Sequence, residues 1–115
     1  MEQDLIDMAR LDERMEGDRE LIREVFSVFV EEAPTRRDRF EKAVADLDVA
    51  TLVMLAHSLK GASSTLQAEP LRQASQALEI ASRENRTGEL AALAASVLDL
   101  LDKTAQAMDE MKGSL

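Results

Sequence analysis

Leu52, Leu55, Leu59, Ala62 and Leu66 recur at alternating intervals of three and four residues. That spacing admits one local structure. At 3.6 residues per turn each step rotates by about 100°, so all five side chains share one stripe of an α-helix. On a strand they would be divided between the two faces. Little in the rest of the chain resists helix formation. It has four Gly, two Pro, no Tyr and no Trp, and Ala, Leu, Glu and Arg abound. No run alternates with period two, and no Asn-Gly or Asp-Gly pair marks a hairpin.

Punctuation residues divide the chain. A short first helix is expected from Asp4 to Arg14, and Met15-Glu16-Gly17-Asp18 reads as a turn. Asp18 can cap a helix to about Ala33, with Leu21, Val25, Val28 and Phe29 on one stripe. Pro34 is expected to stop it, and Thr35 to cap a further segment carrying Phe40, Val44 and Leu47 inward. Asp48 can cap a helix through about Ala68. Pro70 fits the first turn of the next, which ends near Asn85 to Gly88. The last runs from about Glu89 to Met111, with Leu90, Leu93, Val97, Leu100, Leu101 and Met108 as its apolar residues. Short connections between long amphipathic helices predict an all-α fold, an antiparallel up-down four-helix bundle with a short additional N-terminal helix. Residues 1–115 read as one domain.

Composition removes several functions. The chain has 14 basic and 23 acidic residues, a formal charge of −9, so its surface should repel nucleic-acid phosphates. Without Cys there is no disulfide or thiolate chemistry, and a single His excludes a multi-histidine metal site. The longest charge-free stretch, Val49 to Leu59, falls short of the ~20 residues of a membrane span. Met1-Glu2-Gln3-Asp4 lacks the pattern of a signal peptide, which makes the cytoplasm the expected compartment. Arg36-Arg37-Asp38-Arg39 is the one basic cluster, and pairs with Glu32 and Glu41 account for it. The six Met read as packing residues.

The lone histidine lies opposite the leucine stripe. Val53, Lys60, Gly61, Ser64 and Ala68 fall within roughly 60° of His57 on the helical wheel, and the leucines about 140–220° away. His57 therefore faces away from the core, beside a cation and small residues. An isolated surface His is commonplace. Gly61 is not, because Gly inside a helix costs about 1 kcal/mol relative to Ala. A close helix contact or an approaching partner would offset that.

His57-Ser58-Leu59-Lys60-Gly61 resembles the H-x-L-K-G signature of histidine phosphotransfer (HPt) domains, the four-helix-bundle phosphocarriers of two-component phosphorelays. Gly17-Asp18-Arg19-Glu20-Leu21 and Phe29-Val30-Glu31-Glu32-Ala33-Pro34 resemble the family's first bundle helix and its Pro stop. Ser64-Thr65-Leu66-Gln67-Ala68 and the Leu78-Glu79 region resemble its later helix pair. The likeness spans roughly Leu11 to Met108. One departure is Gln67, where the family usually has Gly. On the wheel Gln67 lies about 80° from His57, at the border of the patch.

The resemblance implies a chemistry. His57 would accept a phosphoryl group from a receiver aspartate and pass it on or back, holding it as a phosphoramidate. Lys60 would neutralise phosphate charge, and Gly61 would give steric access. Glu79, 22 residues after His57, would orient the imidazole, although a solvated Glu79 paired with Arg83 is equally compatible with the spacing. Val53, Ser64, Ala68, Gln76 and Arg83 would serve binding, together with Leu5, Ile6, Met8 and Ala9 of the first helix unless these cap the bundle. No nucleotide-binding motif is present, so the chain is expected to be a carrier rather than an enzyme, with no cofactor of its own. Mg²⁺ would sit on the partner, a response-regulator receiver. A sensor or hybrid histidine kinase is the other expected partner, and a monomer the simpler state. Two further readings remain open: a non-catalytic adaptor for a receiver or kinase, and the phosphoacceptor domain of a chemotaxis-type kinase.

Overall fold

A computed structural model describes residues 4–115, and among these every regular element is helical. Met1 to Gln3, on which the reading of the N-terminus partly rests, lie outside the described residues. The helices are α1 (Met8–Arg14), α2 (Arg19–Ala45), α3 (Val49–Thr65), α4 (Glu69–Arg83) and α5 (Leu90–Lys112), with one 3₁₀ turn, Thr87–Glu89, before α5. Helices α2 to α5 form the up-down bundle and α1 is the short addition. α2 packs along α5, and α3 along α4. The seam between α2 and α3 is the least closed, and three clefts open along it.

Three aspartates start helices as their chemistry dictates. Asp7, Asp18 and Asp48 each accept the backbone N–H three residues on, at 3.1, 3.0 and 3.1 Å. Each such cap is worth about 1 kcal/mol. α4 lacks a side-chain cap and opens instead with Pro70 in its first turn. The first helix begins later than expected. Asp4 to Asp7 stay outside it, because Ile6 is buried in the core and the Asp7 N–H donates to the Gln67 carbonyl at 2.9 Å. Ile6 and Leu11 thus plug the bundle end beside the α3–α4 turn, which makes α1 a cap.

Pro34 does not end a helix. α2 runs unbroken through it for 27 residues, about 40 Å at 1.5 Å per residue, close to the molecule's 42 Å long axis. The proline removes one donor, to the Val30 carbonyl, on an exposed position. Phe29 and Ala33 before it and Phe40 and Ala43 after it stay in helical phase and are buried, so packing on α5 outweighs the local break. Thr35 is accordingly mid-helix and caps nothing.

The inward stripe of α2 also differs from the expected one. Ile22, Phe26, Phe29, Ala33, Phe40 and Ala43 are buried, while Leu21 and Val28 are exposed and Val25 is half-buried. α2 carries apolar residues on two faces, and the bulkier phenylalanine face is the one turned inward. Leu47, expected to point inward, is 54% exposed. It lies just past α2 in the left-handed region at φ 49°, where helical phase no longer applies. The Asp48 N–H reaches back to the Ala43 carbonyl (2.8 Å) and the Leu47 N–H to Val44 (3.1 Å), which closes the helix as a Schellman motif. The same closure recurs around Gln67 (φ 57°) after α3 and Asn85 (φ 55°) after α4. α3 and α5 turn their predicted stripes inward: Leu52, Leu59, Leu66, Leu90, Val97, Leu101 and Met108 are buried.

Candidate functional site

His57 stands at the middle of α3, with 64% of its side chain exposed. α4 runs alongside and places the Glu79 carboxylate beneath it. The imidazole Nδ1 lies 3.0 Å from Glu79 Oε2. Lys60, one turn after His57, puts Nζ 2.7 Å from the other oxygen, Oε1. Arg83, one turn after Glu79, donates Nη2 to Oε2 at 2.9 Å and Nε at 3.1 Å. One carboxylate, 6% exposed, therefore gathers an imidazole and two cations from two helices.

Hydrogen bonds from Lys60, Arg83 and His57 hold the Glu79 carboxyl down at about 2 against the opposing effect of its burial, the Lys60 bond being the largest influence. Glu79 is therefore a carboxylate across the physiological range and an obligate acceptor. Its partner at His57 must be Nδ1–H. In the neutral imidazole this contact puts the proton on Nδ1 and leaves the lone pair on Nε2. Such a nitrogen is a nucleophile on a rigid support.

The residues singled out in the sequence divide sharply. His57, Lys60, Glu79 and Arg83 form one connected cluster. Both readings of Glu79 hold in part, since it pairs with Arg83 at i+4 yet is buried and bound to His57. Gly61 and Ser64 are exposed on the same face of α3, and Val53 is half-buried there. A Cβ at Gly61 would meet nothing within 4 Å, so no close helix contact explains this glycine. Ala68 is a correction. It is fully buried at the N-cap of α4 and contributes nothing to the patch, because α3 ends at Thr65 and wheel angles do not extend past it. Gln67 likewise lies beyond the helix, in its left-handed C-terminal turn. Gln76 engages Arg72, which donates to its Oε1 at 2.8 Å, rather than the His57 cluster.

The exposed apolar surface near His57 comes from elsewhere than α1. Val25, Val28 and Phe29 of α2 line a shallow groove with Gly61, Ala62 and Thr65 of α3, of about 250 Å³. Met54, one turn before His57, is also exposed. Assigning α2 one inward stripe hid Leu21 and Val28; their signal was the excess of apolar residues on that helix. Of the first-helix candidates, Ile6 is in the core, Leu5 and Met8 pack against it, and Ala9 is exposed. Among the described residues, no three His, Cys, Asp or Glu are grouped to hold a metal ion, and no helix is long and apolar enough to cross a membrane.

A four-helix bundle with its one histidine braced on α3 defines a class. The sequence profile of the Hpt domain matches residues 24–113, and the chain belongs to that family, the histidine phosphotransfer proteins of phosphorelays. Two solved structures share the fold. Histidine-containing phosphotransfer protein B (HptB) from Pseudomonas aeruginosa PAO1 superposes with a TM-score of 0.89 at 20% identity, covering 99% of each chain. The HPT domain of an Hpt sensor hybrid histidine kinase from Shewanella gives a TM-score of 0.86 at 21% identity, covering 97% of this chain and 98% of that one. No curated protein matches the sequence. Hpt domains are phosphotransfer carriers rather than kinases, and they interact with response-regulator receivers and hybrid kinases.

Proposed function

We propose that His57 is the phosphoacceptor of this Hpt protein. The observation that carries the reading is the contact of Nδ1 with the buried Glu79 carboxylate, which leaves Nε2 free on an exposed face. Nε2 attacks the phosphorus of a receiver's aspartyl phosphate. The P–N bond forms, the acyl P–O bond breaks, and the aspartate leaves as a carboxylate. The imidazole, which keeps its Nδ1 proton, becomes cationic as the bond forms, and Glu79 lies where it stabilises that charge. Transfer to the next aspartate is the reverse sequence.

Lys60 and Arg83 stand on the α4 side of His57. With a neutral imidazole, the cluster carries one negative and two positive charges, a net +1 that favours an arriving phosphoryl group. Gly61 clears the approach, since no side chain rises from α3 there. The groove of Val25, Val28 and Phe29, with Met54, would take the apolar part of the receiver surface. Ser64 and Val53 lie on the same face of α3 as His57. Mg²⁺ and the nucleotide belong to the partners in this reading, and this chain contributes the nucleophile, its brace and a docking face. One chain suffices as a monomer, because every member of the cluster comes from α3 and α4. The cytoplasm, where receivers are phosphorylated, is the compartment the reading assigns.

The test is transfer from a panel of radiolabelled phospho-receivers to the wild type and to His57→Gln. The expected result is rapid labelling of the wild type alone, labile to acid and stable to alkali. Equal labelling of both proteins would overturn the assignment of His57. Binding without labelling would make the chain an adaptor, and labelling only by a kinase ATP domain would place it beside the chemotaxis-type phosphoacceptors.

A further inference from the structure

The buried positions of α2 are Ile22, Phe26, Phe29, Ala33, Phe40 and Ala43, a strict alternation of four- and three-residue steps broken at one place. The position that completes the series, between Ala33 and Phe40, is Arg36. A long cation on an inward stripe is destabilising unless it is paired. Arg36 is poorly paired. Its side chain is 22% exposed, and among the described residues its buried Nε has no hydrogen-bond partner and its one ion pair, to Glu32 on the same helix, is long at 3.6 Å. The neighbouring arginine of the basic cluster behaves differently. Arg37 binds Glu41 at 2.9 Å and crosses to Asp102 of α5 at 2.7 Å, a structural link.

Arg36 lines both clefts that flank the α3 face next to His57. One contains Gly61 and Thr65, the other Leu55 and Ser58 together with Glu31, Glu32, Thr35 and Arg39. Of the two α2 arginines in these clefts, Arg36 and Arg39, only Arg36 lines both, so it is a cation on the α2 side of the histidine as Lys60 and Arg83 are on the α4 side. Those two are bound to Glu79, whereas Arg36 has the weaker partner. A methionine or leucine would fill this stripe position with no orphaned donor.

We propose that Arg36 is a specificity residue that takes a carboxylate of the receiver domain docked over Gly61, exchanging the loose Glu32 pair for a charge-assisted hydrogen bond. The inference rests on the reading of His57 above. The guanidinium stem stays between α2 and α3, and the head turns outward along the seam, the way long basic side chains keep their charge in water.

The experiment measures phosphotransfer kinetics with each phospho-receiver that labels the wild type, using Arg36→Met and Glu32→Gln, alongside thermal melts. Arg36→Met keeps the stem and removes the charge. It should raise KM roughly 10-fold, the scale of a lost charge-assisted hydrogen bond, with kcat within about twofold and a melting temperature equal to or above that of wild type. Glu32→Gln removes the competing negative charge and should lower KM. The KM difference between wild type and Arg36→Met should shrink at high salt. An unchanged KM in Arg36→Met overturns the proposal. So does a joint loss of stability and transfer with no effect of Glu32→Gln, which would make Arg36 a packing residue. Labelling of His57→Gln is a separate outcome, and it strikes the phosphoacceptor assignment itself.

Discussion

Glu79 accepts from His57 and Arg83 through the same oxygen, Oε2, and this sharing determines what the imidazole can do. The carboxylate cannot take the Nδ1 proton, because three donors hold its own affinity for protons far below the usual range. In the function proposed above, its part is to orient the ring and to stabilise positive charge on it.

Replacing Glu79 with Ala should therefore act on the tautomer before it acts on the fold. Imidazole ¹⁵N shifts of the wild type are expected to show the Nδ1–H form, and those of Glu79→Ala a mixture of tautomers. Phosphoryl transfer should slow roughly 10-fold or more, as for other groups that orient a reacting imidazole. An unaltered tautomer ratio in the variant would show that the contact does not orient the ring.

The same cluster predicts a pH dependence. The Glu79 carboxyl is lowered from 4.5 to about 2 in the folded protein, first by Lys60. A depressed carboxyl contributes stability that is fully present above the unfolded value and lost as pH falls through the folded one. Compared with Glu79→Gln, the wild type should hold an advantage of about 2 kcal/mol above pH ~4.5, discounted for the exposure of the His57 and Arg83 partners. That advantage should vanish by about pH 2, as read from urea unfolding at a series of pH values.

Gly61 separates stability from access. With nothing within 4 Å of a Cβ, Gly61→Ala should stabilise α3 by about 1 kcal/mol, measured by denaturant unfolding. Gly61→Arg should leave the fold intact and slow transfer from the receiver, because its side chain would rise beside His57. A normal rate in Gly61→Arg would mean that the approach does not pass over this face.

Two local rules are broken at structural cost, and reversing each should show it in thermal melts. Gln67→Gly relieves a side chain held at φ 57° and should stabilise by about 0.5–1 kcal/mol. Pro34→Ala restores the donor to the Val30 carbonyl, with an expected gain of about 1–2 kcal/mol after allowance for the freer unfolded chain.

Much of this molecule is legible along the chain because its causes are local. The caps at Asp18 and Asp48, the leucine stripe of α3, the outward face of His57 and the i+4 pairing of Glu79 with Arg83 all follow from 3.6 residues per turn and from side chains reaching nearby backbone. The family resemblance identified Glu79 as a candidate brace, yet spacing on its own left a solvated Glu equally open.

Tertiary structure decided the rest. Whether Pro34 ends a helix depends on how well Phe29, Ala33, Phe40 and Ala43 pack on α5, and that packing outweighs one missing hydrogen bond. Which of two apolar faces of α2 turns inward is settled by what α5 offers opposite the phenylalanines, and it leaves Val28 beside Gly61. Ala68 and Leu47 departed from their helical phase because Schellman turns end α3 and α2 ahead of them. The burial of Glu79 and the convergence of His57, Lys60 and Arg83 on it need α3 and α4 side by side. Periodicity places a residue on a face of its own helix; only the packing of helices determines what that face meets.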